Sequence, residues 1–162
     1  MVMLDTTKRW TAEMVRELPD DGNRYEVVHG ELLVTPAPRY AHQLVLGRLH
    51  AWLRAYLDPL GLADSLVFSP ADISWDEETL VQPDLFVVAA QEISASWATF
   101  KTLRLAVEVV SPSSARADRV VDVWRPEDAR PAVVVDVVRW RVTPDAPQFE
   151  LDLATLFREV PE

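Results

Sequence analysis

The chain has 162 residues, 49% of them hydrophobic and 26% charged, with a formal net charge of −10 and no cysteine. Such a length and balance fit one globular domain with a real core and exclude a disordered tract, while the lack of cysteine excludes disulfides and thiolate zinc sites. No apolar run approaches bilayer length and Met1 to Trp10 lacks the layout of a secretion signal, so a cytoplasmic protein with no membrane segment is expected.

Thr11 to Leu18 reads as a short amphipathic helix with Thr11 as its N-cap, ended by the turn Pro19-Asp20-Asp21-Gly22-Asn23. Arg24 to Val28 and Glu31 to Thr35 read as strands of a hairpin, joined by His29-Gly30. Arg39 to Leu57 is the longest predicted helix. Val45, Leu49, Trp52, Leu53 and Tyr56 form its buried stripe, and His42 lies on that stripe. Short strands follow at Leu66 to Ser69 and Ala71 to Trp75, with a turn at Asp76 to Thr79. Leu85 to Val88 and Leu103 to Val110 read as core strands, linked by a mixed segment from Ala89 to Thr102. Ser111 to Ser114 breaks the chain and caps a short helix through Val121. Strands near Val123-Trp124 and Ala132 to Val138, joined by a Pro126-Glu127-Asp128 turn, and a helix over Asp152 to Arg158 complete the layout. The fold class is α/β in the broad sense (α+β), with helices packed on a mixed, mostly antiparallel central sheet.

Two acids stand out against this layout. Glu108 sits in the apolar run Leu103 to Val110, where an unpaired buried charge costs several kcal/mol, on the order of the transfer penalty for a polar group. It needs a cation, a proton, a basic partner or an exposed face. Asp84 heads the run Leu85 to Val88. Two acids on neighbouring strands are the minimum equipment for a divalent metal. The bland readings stay open: Glu108 faces water or pairs with a cross-strand arginine, Asp84 is a turn acid after Pro83, Glu31 is an ordinary exposed strand residue, and His42 is a hydrogen-bonded core histidine.

Charge is unevenly spread. Between Ala55 and Phe100 there is no Lys or Arg but eight acids, either a solvated face or the surplus negative charge that a bound cation would offset. Arginines collect at Arg39, Arg48 and Arg54, and again at Arg116, Arg119, Arg125 and Arg130. The net charge argues against nucleic acid as a partner, and these arginines either contact phosphates or simply balance acids.

Tyr25-Glu26-Val27-Val28-His29-Gly30-Glu31-Leu32, Pro38-Arg39 with His42, Gln82-Pro83-Asp84-Leu85 and Val107-Glu108-Val109-Val110-Ser111-Pro112-Ser113, in this order, resemble the Uma2 family. That family is classed with the restriction-endonuclease-like proteins of the PD-(D/E)XK nuclease superfamily. The resemblance runs from about Trp10 to Asp118 and resumes from Val121 to Phe157. It implies a nuclease-type core with a Mg2+ (or Mn2+) site. Asp84 matches the family's Pro-Asp acid, Glu108 its second acid, Glu31 a first-element acid, and His42 a recurrent histidine on the long helix. Asp84, Glu108 and the Val109 carbonyl are the implied metal ligands, and DNA is the implied substrate. The superfamily's lysine two residues after the second acid is replaced here by Val110, and only Lys8 and Lys101 occur in the chain. One domain over 1–162 is expected, with a main core over 8–121 and a closing hairpin and helix over 122–162. A helix end and a strand are expected to be missing after Val121, leaving a strand edge for a homodimer. The chemistry expected is that of a metal-dependent endonuclease, catalytically impaired by the lost lysine, or that of a non-catalytic remnant serving as a nucleic-acid-binding or protein-interaction module.

Overall fold

The computed structural model describes residues 8–68, 71–92, 102–110, 120–125 and 130–161. Its elements run α1 (Ala12–Arg16), β1 (Arg24–Val28), β2 (Glu31–Thr35), α2 (Tyr40–Leu57), β3 (Leu66–Phe68), β4 (Ile73–Asp76), β5 (Thr79–Val81), β6 (Leu85–Val88), β7 (Leu103–Val109), β8 (Val121–Trp124), β9 (Ala132–Val134), β10 (Val137–Trp140), β11 (Phe149–Asp152) and α3 (Leu153–Leu156). The expected helix over Ser111–Val121 and the Pro126 turn fall largely outside the described residues.

Three sheets form, of order β2-β1-β5-β4, β3-β6-β7-β8-β9 and β10-β11, and every described pairing is antiparallel. The β1–β2 hairpin turns through His29 (φ 51°) and Gly30 (φ 81°). Both residues take positive φ, the backbone that a tight hairpin compatible with strand twist requires. Thr11 caps α1 by accepting from the Met14 amide at 3.3 Å, and Gly61 in the left-handed region closes the turn after α2.

The five-stranded sheet is covered on both faces, which is why β6 is buried along its whole length. Leu85, Val87, Leu105, Val107, Val109, Val121 and Val123 pack against the α2 stripe and the β10–β11 unit. Phe86, Val88 and Ala106 pack against Ala71 and Ile73 on the other side. Trp52 departs from the expected stripe: it is 48% exposed, and Leu46 takes its place in the core.

The second half of the chain keeps one expected pairing and adds others. Val121–Trp124 makes the expected antiparallel pair with Ala132–Val134 and is also an inner strand of the main sheet. It is paired with both β7 and β9, because Val121 and Val123 alternate with Asp122 and Trp124 and send both valines into the core. The closing hairpin is β10–β11, and its second strand, Phe149–Asp152, was hidden in the sequence by its shortness. The boundary expected at 121 therefore runs through the main sheet. In β7, the partners Val87–Leu105 and Val88–Leu103 skip Arg104. This bulge breaks the simple alternation and puts Leu103 with the Ala106 side of the sheet.

Candidate active site

The site lies where β1, the first turn of α2 and the facing ends of β6 and β7 meet. Alternation along β1 places Arg24 and Glu26 on one face, two residues apart. Asp84 precedes β6 and is only 3% exposed. Glu108 lies near the end of β7, directly opposite Asp122 of β8. Directly opposed residues share a face, so Asp122 adds a further carboxylate beside Glu108.

Arg24 ties the acids together. Its Nη1 donates to Asp84 Oδ1 at 3.2 Å and to the Gln82 carbonyl at 3.0 Å. Its Nη2 donates to Glu108 Oε1 at 2.6 Å, and its Nε lies 3.5 Å from Glu26 Oε2. The other oxygens are also engaged. Asp84 Oδ2 accepts from the Val109 amide at 2.8 Å and lies 2.9 Å from His42 Nε2. Glu108 Oε2 accepts from the Asp84 amide at 3.2 Å, and Glu26 Oε1 from the Gln82 amide at 2.7 Å. His42 Nδ1 is buried and has no partner among the described residues.

Three of the acidic side chains thus share one guanidinium, and one of them, Asp84, also meets the His42 imidazole. Burial pushes the Glu108 carboxyl up to about 7; the nearby Asp84 adds to the rise and Arg24 opposes it. Burial also raises the Glu26 carboxyl, against the pull of Arg24 and the Gln82 amide. His42 is drawn down by burial but held above its ordinary value by its hydrogen bond to Asp84 and the charges of Asp84 and Glu108. Burial disfavours the Arg24 charge, and Glu108 and Glu26 more than restore it. The net surplus of negative charge is the condition a cation would relieve.

The structure brings together Asp84, Glu108, His42 and Val109, the last through its amide. It does not bring Glu31 to them. Glu31 is exposed at the turn end of the hairpin, opposite Val28, about 13 Å along β1 from Arg24 at the usual rise per residue. The acid that β1 contributes is Glu26. Arg24 and Asp122 also escaped sequence reading. The available signal was the charge pair Arg24/Glu26 at two-residue spacing in a strand that is otherwise apolar, which marks one polar face rather than a solvated end.

Asp84 and Glu108 offer hard oxygens suited to a magnesium-like ion, which takes a few carboxylates and keeps several waters. Their surplus charge fits such an ion, with one condition: the Arg24 guanidinium stands between the two carboxylates and would have to yield. Among the described residues no group of three or more His, Asp or Glu side chains is arranged to hold a metal.

The sequence matches the Uma2 family, described as a putative restriction endonuclease, over residues 12–145. The chain belongs to the Uma2 family. Arg24, Glu26, His42, Asp84, Glu108 and Asp122 all fall within the Uma2 match. No curated protein matches the chain. Among solved structures, a putative nuclease of the DUF820 group from Anabaena variabilis superposes with a TM-score of 0.63 at 15% identity, covering 91% of this chain and 97% of that one. At that identity the likeness speaks for the fold: a mixed α/β architecture of antiparallel sheets with few helices, shared with a nuclease-like protein. Among the described residues no helix is long and apolar enough to cross a membrane.

Proposed function

We propose that this Uma2 chain is a metal-dependent endonuclease that hydrolyses phosphodiester bonds in DNA in the cytoplasm, with Asp84 and Glu108 as its central acids. The single observation that carries the reading is the convergence of those two carboxylates, from β6 and β7, on one point beside Arg24 and His42. Asp84, Glu108 and the Val109 carbonyl would hold a Mg2+ or Mn2+ ion. Such an ion polarises the phosphate and makes a nearby water more acidic.

The chain's own residues have separate tasks. The Val109 amide and His42 fix the Asp84 carboxylate, and the Asp84 amide fixes Glu108. His42 Nε2 is committed to Asp84 and its Nδ1 is buried, so the ring's task is to orient that carboxylate. Arg24 carries the positive charge that Val110 cannot, and it moves aside from the acids when an ion enters. It can neutralise charge on a phosphate, but a guanidinium keeps its proton and is no general base. Losing the lysine as an oriented group costs about 3 kcal/mol of transition-state stabilisation, the scale of one preorganised electrostatic donor. The reading is therefore of a slow enzyme. It includes a homodimer paired through β9, an edge of the main sheet where Val133 and neighbouring Val135 are exposed.

One observation favours a second reading. Every oxygen of Asp84 and Glu108 already has a protein partner, and Arg24 stands where an ion would bind. A non-catalytic remnant of the fold, binding nucleic acid or protein, would keep such a closed cluster. A plasmid-nicking assay with Mg2+ and with Mn2+ separates the two. The enzyme reading expects slow nicking that falls at least about a hundredfold in Asp84→Asn and Glu108→Gln, as when one preorganised electrostatic group is lost. Identical background nicking in wild type and both variants would leave the second reading.

A further inference from the structure

At the opposite end of β7 from Glu108 the surface forms a concavity of about 460 Å³. Arg104, Arg125, Arg139 and Arg141 line it, with Trp140 and Gln148 among the other walls, and among the described residues no Asp or Glu takes part in the lining. In a chain of net charge −10 this is a concentrated reversal of sign. The fold builds it deliberately. The bulge in β7 turns Arg104 toward the loop after β10, where its Nη1 donates to the Val142 carbonyl at 3.0 Å. Arg141 donates from Nη1 to the Ala146 carbonyl at 3.2 Å and from Nη2 to Gln148 Oε1 at 3.4 Å. Arg125 donates to the Arg139 carbonyl at 3.1 Å, and Arg139 lies 3.3 Å from Glu150 Oε1.

These contacts position the guanidiniums without neutralising all of them. Among the described residues, Arg104 and Arg141 bond only to neutral oxygens and retain donors for a ligand. A planar fork with five donors suits phosphate oxygens better than it suits any neutral ligand. The β7–β8 ladder is therefore polarised, with Arg104 and Arg125 at one end and Glu108 and Asp122 at the other. Four residues of strand separate Arg104 from Glu108, about 13 Å.

We propose that this arginine concavity is an anchoring site for the phosphodiester backbone of a nucleic-acid strand. That a nucleic acid is the occupant accords with the nuclease reading; the anchoring itself does not depend on it. The site fixes the backbone and reads no base, so it confers affinity and register without sequence preference.

The test is fluorescence anisotropy with a fluorescein-labelled single-stranded oligonucleotide of about twelve residues, enough for several phosphate contacts, and with its duplex, in EDTA over a series of salt concentrations. Arg139→Gln/Arg141→Gln should weaken binding about tenfold or more and reduce the slope of log K against log salt by about one to two, at about 0.7–0.9 per lost phosphate contact. Glu150→Gln, which releases Arg139 from its acidic neighbour, should strengthen binding, a change that misfolding would not produce. An unchanged affinity and slope in the double variant overturns the proposal. So does a nucleoside monophosphate that binds as tightly as the oligonucleotide, since the site would then take a small phosphoester rather than a strand. Arginine-dependent binding without metal-dependent nicking would sink the nuclease reading and leave this site standing, and nicking without arginine-dependent binding would do the reverse.

Discussion

At Glu108 burial and the Asp84 charge favour the protonated carboxyl, while Arg24 favours the carboxylate. The balance lifts the group to about 7 from an ordinary 4.5. A carboxyl with a raised folded value binds its proton more tightly in the folded chain. Its contribution to stability is complete below about 4.5 and disappears as pH climbs through about 7. Glu26 is displaced in the same direction. His42, raised above 6.5, likewise favours the folded chain while protonated and loses that contribution as pH rises. All three effects act together. In metal-free buffer the midpoint of thermal unfolding should fall from about pH 5 to about pH 8, and Glu108→Gln should flatten much of the fall. A midpoint that climbs over this range, or an unaltered slope in the variant, would mean that the cluster is not under this charge strain. Sequence reading found Asp84, Glu108 and His42 because each interrupts an apolar pattern. It overlooked Arg24 because that residue's partners lie 60 and 84 positions away, a separation that no local periodicity encodes.

At the level of elements, what was legible followed the strength of local rules. The β1–β2 hairpin was found with its true ends because His29-Gly30 fixes the turn and thereby the register. The helix α2 was found within one residue because its apolar stripe persists over five turns. Its fit against the sheet positions His42 beside Asp84. Leu53 lies at the centre of that stripe and is fully buried. Leu53→Ala should lower stability by about 3 kcal/mol, the usual cost of a buried leucine truncation with its residual cavity, measured by urea unfolding at matched slope. A loss within a few tenths of a kcal/mol, about the scale of a surface substitution, would show that α2 is not seated as described. The elements that went astray were short. β5, with three residues, and β11, with four, carry too few turns of alternation to be distinguished from loop. The pairing of β8 with the strand from Ala132 was legible, while its second pairing, with β7, was not, because Asp122 and Trp124 make half of an inner strand look exposed.

Over the whole molecule, the acids, the guanidinium and the basic concavity form one polarised surface system on an acidic chain. Its central feature is a pair of carboxylates held together by Arg24 in the position a divalent ion would take. Ion and guanidinium should therefore compete. Unit charges this close interact by a few kcal/mol near a protein surface, so replacing Arg24 by a neutral side chain should tighten metal binding by about tenfold or more. The most direct measurement is calorimetric titration of the folded chain with Mn2+, comparing wild type, Arg24→Gln and Asp84→Ala. We expect one weak site in wild type, a tighter one in Arg24→Gln, and none in Asp84→Ala. Equal heats in wild type and Asp84→Ala, or no binding even after Arg24 is neutralised, would contradict a metal site at these acids.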